Sequence, residues 1–270
     1  MITEEQKKKM ELEDNKITEN IHHIKHRLVV FSGKGGVGKT TVSVNLAYGL
    51  NINGNITGIL DADVTGPNVP KMIGAHEKLH VKGDRIIPRE SNGVKFVSMA
   101  NIMSPDQAVI WRGPMRSKLL NQFLGDVEWG NLDYLIADLP PGTGDVPLTV
   151  MQSLPLSGLV VVTSPQELVA LIVRKAINMA GQMKIPVLGL IENMSYFECP
   201  ECKRKTEIFG KSATAQVAQN AGIPLLGRLP IIPEVAQLGD EGKIEAVNDI
   251  CLGFFDTVVD ELLKQPQVRS

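Results

Sequence analysis

Leu28-Val29-Val30-Phe31-Ser32-Gly33-Lys34-Gly35-Gly36-Val37-Gly38-Lys39-Thr40-Thr41 is the stretch on which the fold turns. The short apolar run up to Phe31 reads as a buried parallel strand, because both of its faces are hydrophobic. Gly33 to Thr40 then fits the pattern G-x-x-x-x-G-K-[ST] in full. Glycines let backbone N–H groups close on phosphate oxygens without Cβ clashes. A helix over Thr40–Leu50 adds the positive end of its dipole. The expected ligands of a nucleotide are Gly33, Lys34, Gly35, Gly36, Val37, Gly38, Lys39, Thr40 and Thr41. Lys39 is expected to reach the β- and γ-phosphates of ATP, and Thr40 to ligate Mg2+.

Working outward, further buried-strand candidates are Thr57–Leu60, Val94–Met99, Tyr134–Ala137, Gly158–Thr163 and Val187–Ile191. Segments with helical spacing lie between them, at Arg116–Phe123, Glu167–Met179 and Ala213–Ala221. Strands alternating with helices predict an α/β fold, a single domain over residues 27–270 with a mostly parallel sheet and helices on both faces. Residues 1–26 read as a charged leader that includes a short helix, since Ile17, Ile21 and Ile24 recur at near-helical spacing. His22 and His26 stand four apart there, but no carboxylate or cysteine is spaced to complete a metal site.

Two acidic segments end apolar strands. Leu60-Asp61-Ala62-Asp63 places carboxylates where open parallel sheets bind ligands. Asp63 is the candidate for orienting the attacking water, with Asp61 supporting the site electrostatically. Tyr134-Leu135-Ile136-Ala137-Asp138 has the Walker B pattern, so Asp138 is expected to hold magnesium. In the Leu139-Pro140-Pro141-Gly142 segment that follows, the Gly142 N–H is placed to sense a γ-phosphate.

Composition narrows the function classes. The 270 residues are 43% hydrophobic and 21% charged, ordinary for a soluble globular protein. A net charge of −2 and 4% aromatics give no support to nucleic acid or an anionic membrane as partner. No run reaches the roughly 18 apolar residues of a membrane span, and the first residues contain no signal-peptide core. A cytoplasmic, reducing location is the default expectation. Cys199 and Cys202 form a C-P-x-C knuckle in a polar loop, while Cys251 falls in an apolar C-terminal helix. Two thiolates at this spacing can grip one metal ion or two corners of a cluster. A symmetric dimer would supply the other two. Reduced surface thiols or a redox pair are the plainer readings.

The chain resembles the Mrp/ApbC type of iron–sulfur cluster carrier ATPase, a class with a deviant Walker A loop. The matching segments are SGKGGVGKTT (32–41), DADVTGPNVP (61–70), WRGPM (111–115), DYLIADLPPGTGD (133–145), ENMSYFECPEC (192–202) and GRLPIIPEV (227–235). The resemblance implies a homodimer in which Lys34 reaches the partner's nucleotide. It also implies a [4Fe–4S] cluster on Cys199 and Cys202 of both chains, delivered to apo iron–sulfur proteins. Asn193 would recognise adenine, with Pro230 in the adjacent Leu229–Pro233 segment. Thr40 stands where the family usually has Ser, as does Asn68. The four-cysteine N-terminal extension of the eukaryotic branch and the folded N-terminal domain of many bacterial members are not expected.

Two alternatives remain open at this level. A Min- or partition-type ATPase shares the loop, but the tail from Asp249 to Ser270 is not basic, and the knuckle would go unexplained. An ATPase with structural zinc on the same thiolates fits the sulfur geometry equally well.

Overall fold

The computed structural model describes residues 4–63, 66, 68–102, 113–142, 144–165, 169–244 and 247–268. The chain runs through α1 (Glu4–Ile21), β1 (Ile24–Ser32), α2 (Lys39–Ile52), β2 (Thr57–Asp61) and the short α3 (Val69–Met72). Then come β3 (His80–Lys82), β4 (Arg85–Ile87), β5 (Arg89–Ser91), β6 (Val94–Ser98), α4 (Gly113–Asp126) and β7 (Leu132–Asp138). Next are α5 (Asp145–Ser153), β8 (Gly158–Thr163), α6 (Val169–Gln182), β9 (Val187–Glu192), β10 (Phe197–Glu198) and β11 (Lys205–Thr206). The chain closes with α7 (Thr214–Ala221), β12 (Leu225–Arg228), α8 (Pro233–Glu241) and α9 (Val247–Leu263).

Among the described residues, eight strands form one sheet in the order β12-β9-β8-β1-β7-β2-β6-β5. The pairs are parallel except for β5 against β6 at the edge. Strand β1 lies near the middle, and its side chains show why the apolar run is continuous. Val29 and Phe31 join the core shared with Leu135, Val161 and α4 to α7 residues. Leu28 and Val30 join the opposite core, with Ile136, Val162 and residues of α2 and α9. A strand covered by helices on both faces has no solvent-facing positions to make polar.

The parallel register brings the strand ends to one edge. Asp61 of β2 pairs with Asp138 of β7, and Thr163 of β8 with Glu192 of β9. In such sheets the crevice beyond the strands' carboxyl ends is the usual ligand site.

The N-terminal boundary moves from its sequence-based position at residue 27. Strand β1 begins at Ile24, and α1 packs against α4. Ile17 and Ile21, four residues apart on one helix face, are 3% and 1% exposed and belong to the main core. Asn20 adds donors to the carbonyls of Leu124 and Val127, each at 2.7 Å. The spacing of Ile17 and Ile21 marks the helix in the sequence, but not its burial against α4, and Ile24, grouped with them there, opens β1. The Trp111–Met115 segment and the start of the Glu167–Met179 helix fall partly outside the described residues, as does the Cys251 side chain.

Truncating Ile21 tests whether α1 is part of the core. We expect Ile21→Ala to cost about 2–5 kcal/mol, as other large-to-small core changes do. Leu12→Ala, on the same helix but 63% exposed, should stay within about 0.5 kcal/mol. Urea unfolding of the two variants decides it: equal midpoints would mean that α1 does not contribute to the core.

Candidate functional site

Gly38 ends the phosphate loop at φ 77°, a left-handed conformation that costs glycine nothing, and helix α2 starts at Lys39 with no side chain capping it. Its first-turn N–H groups, which have no partner within a helix, are therefore left for a ligand. Lys34, Gly35, Gly36, Gly38, Lys39, Thr40 and Thr41 line one cavity of about 400 Å³, together with Asp63 and Asn68. Lys34 is exposed. Gly33 and Val37 serve the loop from behind. A Cβ at Gly33 would meet the Ile172 side chain at 2.7 Å. Val37 is buried, and its carbonyl accepts a 2.9 Å bond from the Asn193 amide.

At the floor of the site lies a buried ion pair. Lys39 Nζ is 2.5 Å from Asp138 Oδ1, with the two side chains 6% and 0% exposed. Asp138 also accepts 2.7 Å hydrogen bonds from the hydroxyls of Thr40 and Ser43. Asp61 sits in register on the next strand and accepts from Ser98 Oγ at 2.8 Å. Burial first, and the Asp138 charge second, push the Asp61 carboxyl up to about 8, against the Ser98 hydrogen bond and the Lys39 charge. Two carboxyl groups thus share one buried site with a single lysine. The donor set suits magnesium: a carboxylate at Asp138 and a hydroxyl at Thr40 are hard oxygen ligands. Asp63 stands beside them, half-buried, its carboxylate accepting from the Gly66 N–H at 3.2 Å. Gly142, at φ 88°, donates its N–H to the Ser32 carbonyl at 2.9 Å, tying the segment after β7 to the start of the loop.

A second, apolar cavity of about 270 Å³ adjoins the first, sharing Gly38, Thr41, Val235 and Ala236. Asn193, Met194, Leu229, Pro230, Ile232 and Phe255 are among its walls. Met194 is held at φ 57°, a left-handed conformation uncommon for a residue with a side chain. The Asn193 and Pro230 positions singled out from the sequence therefore meet at this cavity.

The cysteines lie apart from both cavities, on the turn between β10 and β11. The Cys199 N–H donates to the Arg204 carbonyl, and the Lys203 N–H to the Cys199 carbonyl, at 3.0 and 2.9 Å. Lys203 takes the left-handed φ of 58° that closes the turn. Cys199 is half-buried and Cys202 exposed, and both are free thiols. Backbone N–H groups of Cys202 and then Glu201, with the Cys202 thiol, hold the Cys199 thiol below its ordinary range. Among the described residues, no three His, Cys, Asp or Glu side chains gather as a metal site.

Three functional neighbours escaped the sequence reading. Ser43 lies one helical turn after Lys39, and its i+4 spacing was the signal. Ser98 closes β6 beside Asp61. Glu192, fully buried, accepts from Ser212, Thr214 and Arg228, the last at 2.9 Å. Those hydrogen bonds outweigh burial and hold its carboxyl below the ordinary range.

Known proteins resemble this chain in sequence and in fold. A family model described as ParA, NUBPL iron-transfer P-loop NTPase, matches residues 23–262. An iron–sulfur cluster carrier protein of Methanocaldococcus jannaschii is 47% identical over 240 residues, 87% of this chain and 83% of that one. A nucleotide-binding protein of Archaeoglobus fulgidus, solved with ADP and with cobalt found in it, superposes with a TM-score of 0.79 at 41% identity, covering 87% and 93% of the two chains. The cell-division ATPase MinD of Pyrococcus furiosus shares the fold at a TM-score of 0.61 and 17% identity, over 89% and 99%. With the phosphate loop, the Lys39–Asp138 pair and a match over most of its length, the chain belongs to the ParA family of P-loop NTPases, in the NUBPL iron-transfer group.

Proposed function

We propose that this protein is an ATP-hydrolysing iron–sulfur cluster carrier, which as a homodimer holds a [4Fe–4S] cluster on Cys199 and Cys202 of both chains and delivers it to apoproteins. One observation carries the reading: an accessible pair of free thiols and a phosphate site with a buried Lys39–Asp138 pair occupy the same fold. Two sulfurs per chain make half of a four-sulfur site, which symmetry completes. Exposure of Cys202 suits a cargo that must leave and does not suit a structural metal. Free thiols also fit a reducing, cytoplasmic setting.

In this reading the phosphates of ATP lie on the N–H groups at the start of α2. Lys39 moves its charge from Asp138 to the β- and γ-phosphates. Asp138 and Thr40 are the residues that would hold Mg2+, which supplies charge neutralisation at the transferring phosphoryl group. Asp63 orients the attacking water. The Gly142 N–H exchanges the Ser32 carbonyl for a phosphate oxygen, so the segment after β7 reports whether the γ-phosphate is present. Lys34, exposed at its own cavity, offers its charge to the partner's nucleotide. The cysteine hairpin is the feature that favours a carrier over a Min-type switch.

Nucleotide chemistry is tested at Lys39 and Asp63. Lys39→Ala should lower turnover by on the order of a hundredfold or more, the usual effect of removing one electrostatic group from a transition state, and should weaken ATP binding. Asp63→Ala should keep ATP affinity within a few-fold and slow hydrolysis alone. Equilibrium binding and phosphate-release assays separate the two; unchanged turnover in Lys39→Ala would rule out the assigned site.

Cluster binding is tested by anaerobic reconstitution with iron and sulfide, followed by absorption spectroscopy, metal and sulfide analysis, and sedimentation. We expect four irons and four sulfides per two chains. Cys199→Ala and Cys202→Ala should each abolish the cluster, since each removes two of four ligands, while Cys251→Ala leaves it intact. ATP hydrolysis should persist in part in all three. Tightly held zinc that iron and sulfide cannot replace, or a cluster on a strict monomer, would overturn the carrier reading.

A further inference from the structure

We infer that Phe209 is the ring on which the base of the bound nucleotide rests, and that through it base occupancy fixes the position of the cysteine hairpin. The inference deepens the proposed ATP binding and rests on it. Phe209 lines the apolar cavity beside the phosphate loop, together with Gly38, Thr41, Asn193, Pro230 and Phe255. It is 36% exposed. A nucleotide whose phosphates lie on the loop places its base in this adjoining space. A flat base that meets a partly exposed aromatic ring gains by stacking.

Phe209 comes from the chain segment that carries the cysteines, not from the sheet that carries the phosphate loop. It sits at the tip of a turn three residues after β11, which the Gly210 N–H closes on the Glu207 carbonyl at 3.0 Å with Gly210 at φ 86°. Both flanks of that turn lead to one buried carboxylate. On one side Glu207 meets Arg228 at 3.1 Å, and Arg228 meets Glu192 at 2.9 Å. On the other side Ser212 donates to Glu192. The opposite end of the segment is also tied to the cavity wall. Ile231 donates its N–H to the Tyr196 carbonyl at 2.6 Å, and Phe197, two residues before Cys199, bridges to Ile231. The hairpin therefore leaves and rejoins the fold at the walls of the base cavity. A base seated on Phe209 touches the cysteine-bearing segment itself. A phosphate chain without a base touches only the loop.

The test compares ADP with inorganic tripolyphosphate, each with magnesium, on the full chain. Calorimetry should show Phe209→Ala binding ADP about tenfold more weakly, the scale of one base–aromatic stack. Its tripolyphosphate affinity should be unchanged, and Phe209→Tyr should bind both as the parent does. Hydrogen exchange should show that ADP slows the Ile231 and Cys199 amides in the parent, that tripolyphosphate does not, and that saturating ADP fails to do so in Phe209→Ala. Unchanged ADP affinity in Phe209→Ala would overturn the inference. So would an equal loss for both ligands, which marks a purely structural role. Equal slowing by ADP and tripolyphosphate would remove the coupling. A parent protein that binds neither ligand would sink the nucleotide reading itself, and this inference with it.

Discussion

The buried ion pair between Lys39 and Asp138 is the constraint around which the site is arranged. A lysine ammonium that is 6% exposed has lost most of its hydration, and such a charge is tolerated only with a counter-charge and full hydrogen bonding. Asp138 supplies the charge, and it also accepts from the hydroxyls of Thr40 and Ser43. The arrangement joins the first turn of α2 to the end of β7, the strand beside β1. It also limits what else the pocket can hold. A second ionised carboxylate at Asp61, on the next strand, would leave two negative charges against one positive, and burial together with that repulsion pushes the Asp61 carboxyl up. Under the proposed function, incoming phosphates and magnesium replace this balance and do not create it. Lys39 would turn to the phosphates, and Asp138 would be left to hold the divalent cation.

Most of the central sheet and the phosphate loop were legible because each rests on a local signal. The strands are apolar on both faces, so burial leaves no alternation to misread. The loop's glycines have separate physical duties: Gly38 takes a left-handed conformation, and Gly33 lies against Ile172. The less legible parts depend on contacts between distant segments. Helix α1 looks like a charged leader because Ile17 and Ile21 are a narrow stripe among lysines and glutamates. Their burial depends on Leu120, Phe123 and Leu124 of α4, about a hundred residues later. Strand β12 and helices α5 and α8 are short, at four, nine and nine residues. Glu192 stood beside a residue already chosen for adenine, and nothing local marks a glutamate as buried.

Two of the unread features explain how the cysteine hairpin is held. Strands β10 and β11 are two residues each, far below what an isolated hairpin needs for stability in water. The turn around Cys199 and Cys202 is polar and contributes little apolar burial. Its orientation must come from attachments, and these are Glu192 with Ser212 and Thr214 at one end and the Tyr196–Ile231 hydrogen bond at the other. The hydrogen bonds to Glu192 are charge-assisted and shielded from water, which makes them stronger than neutral surface contacts.

The same economy of attachment bears on what a carrier needs. A site that only stores a metal is best enclosed, whereas a site that surrenders its cargo has to be open and still hold its ligands in a defined place. Openness is provided by the turn itself, with Cys202 exposed and charged side chains around it. Placement is provided from a distance, by a buried carboxylate at the carboxyl end of β9. That strand end also delivers Asn193 to the Val37 carbonyl in the phosphate loop. One strand terminus therefore sets the geometry of both the nucleotide loop and the cysteine turn. Any rearrangement of the loop that displaces Asn193 acts on residue 193, one peptide bond from Glu192 and six residues from Cys199. Under the proposed function, the covalent chain and one buried carboxylate join the two sites without a long relay of side chains.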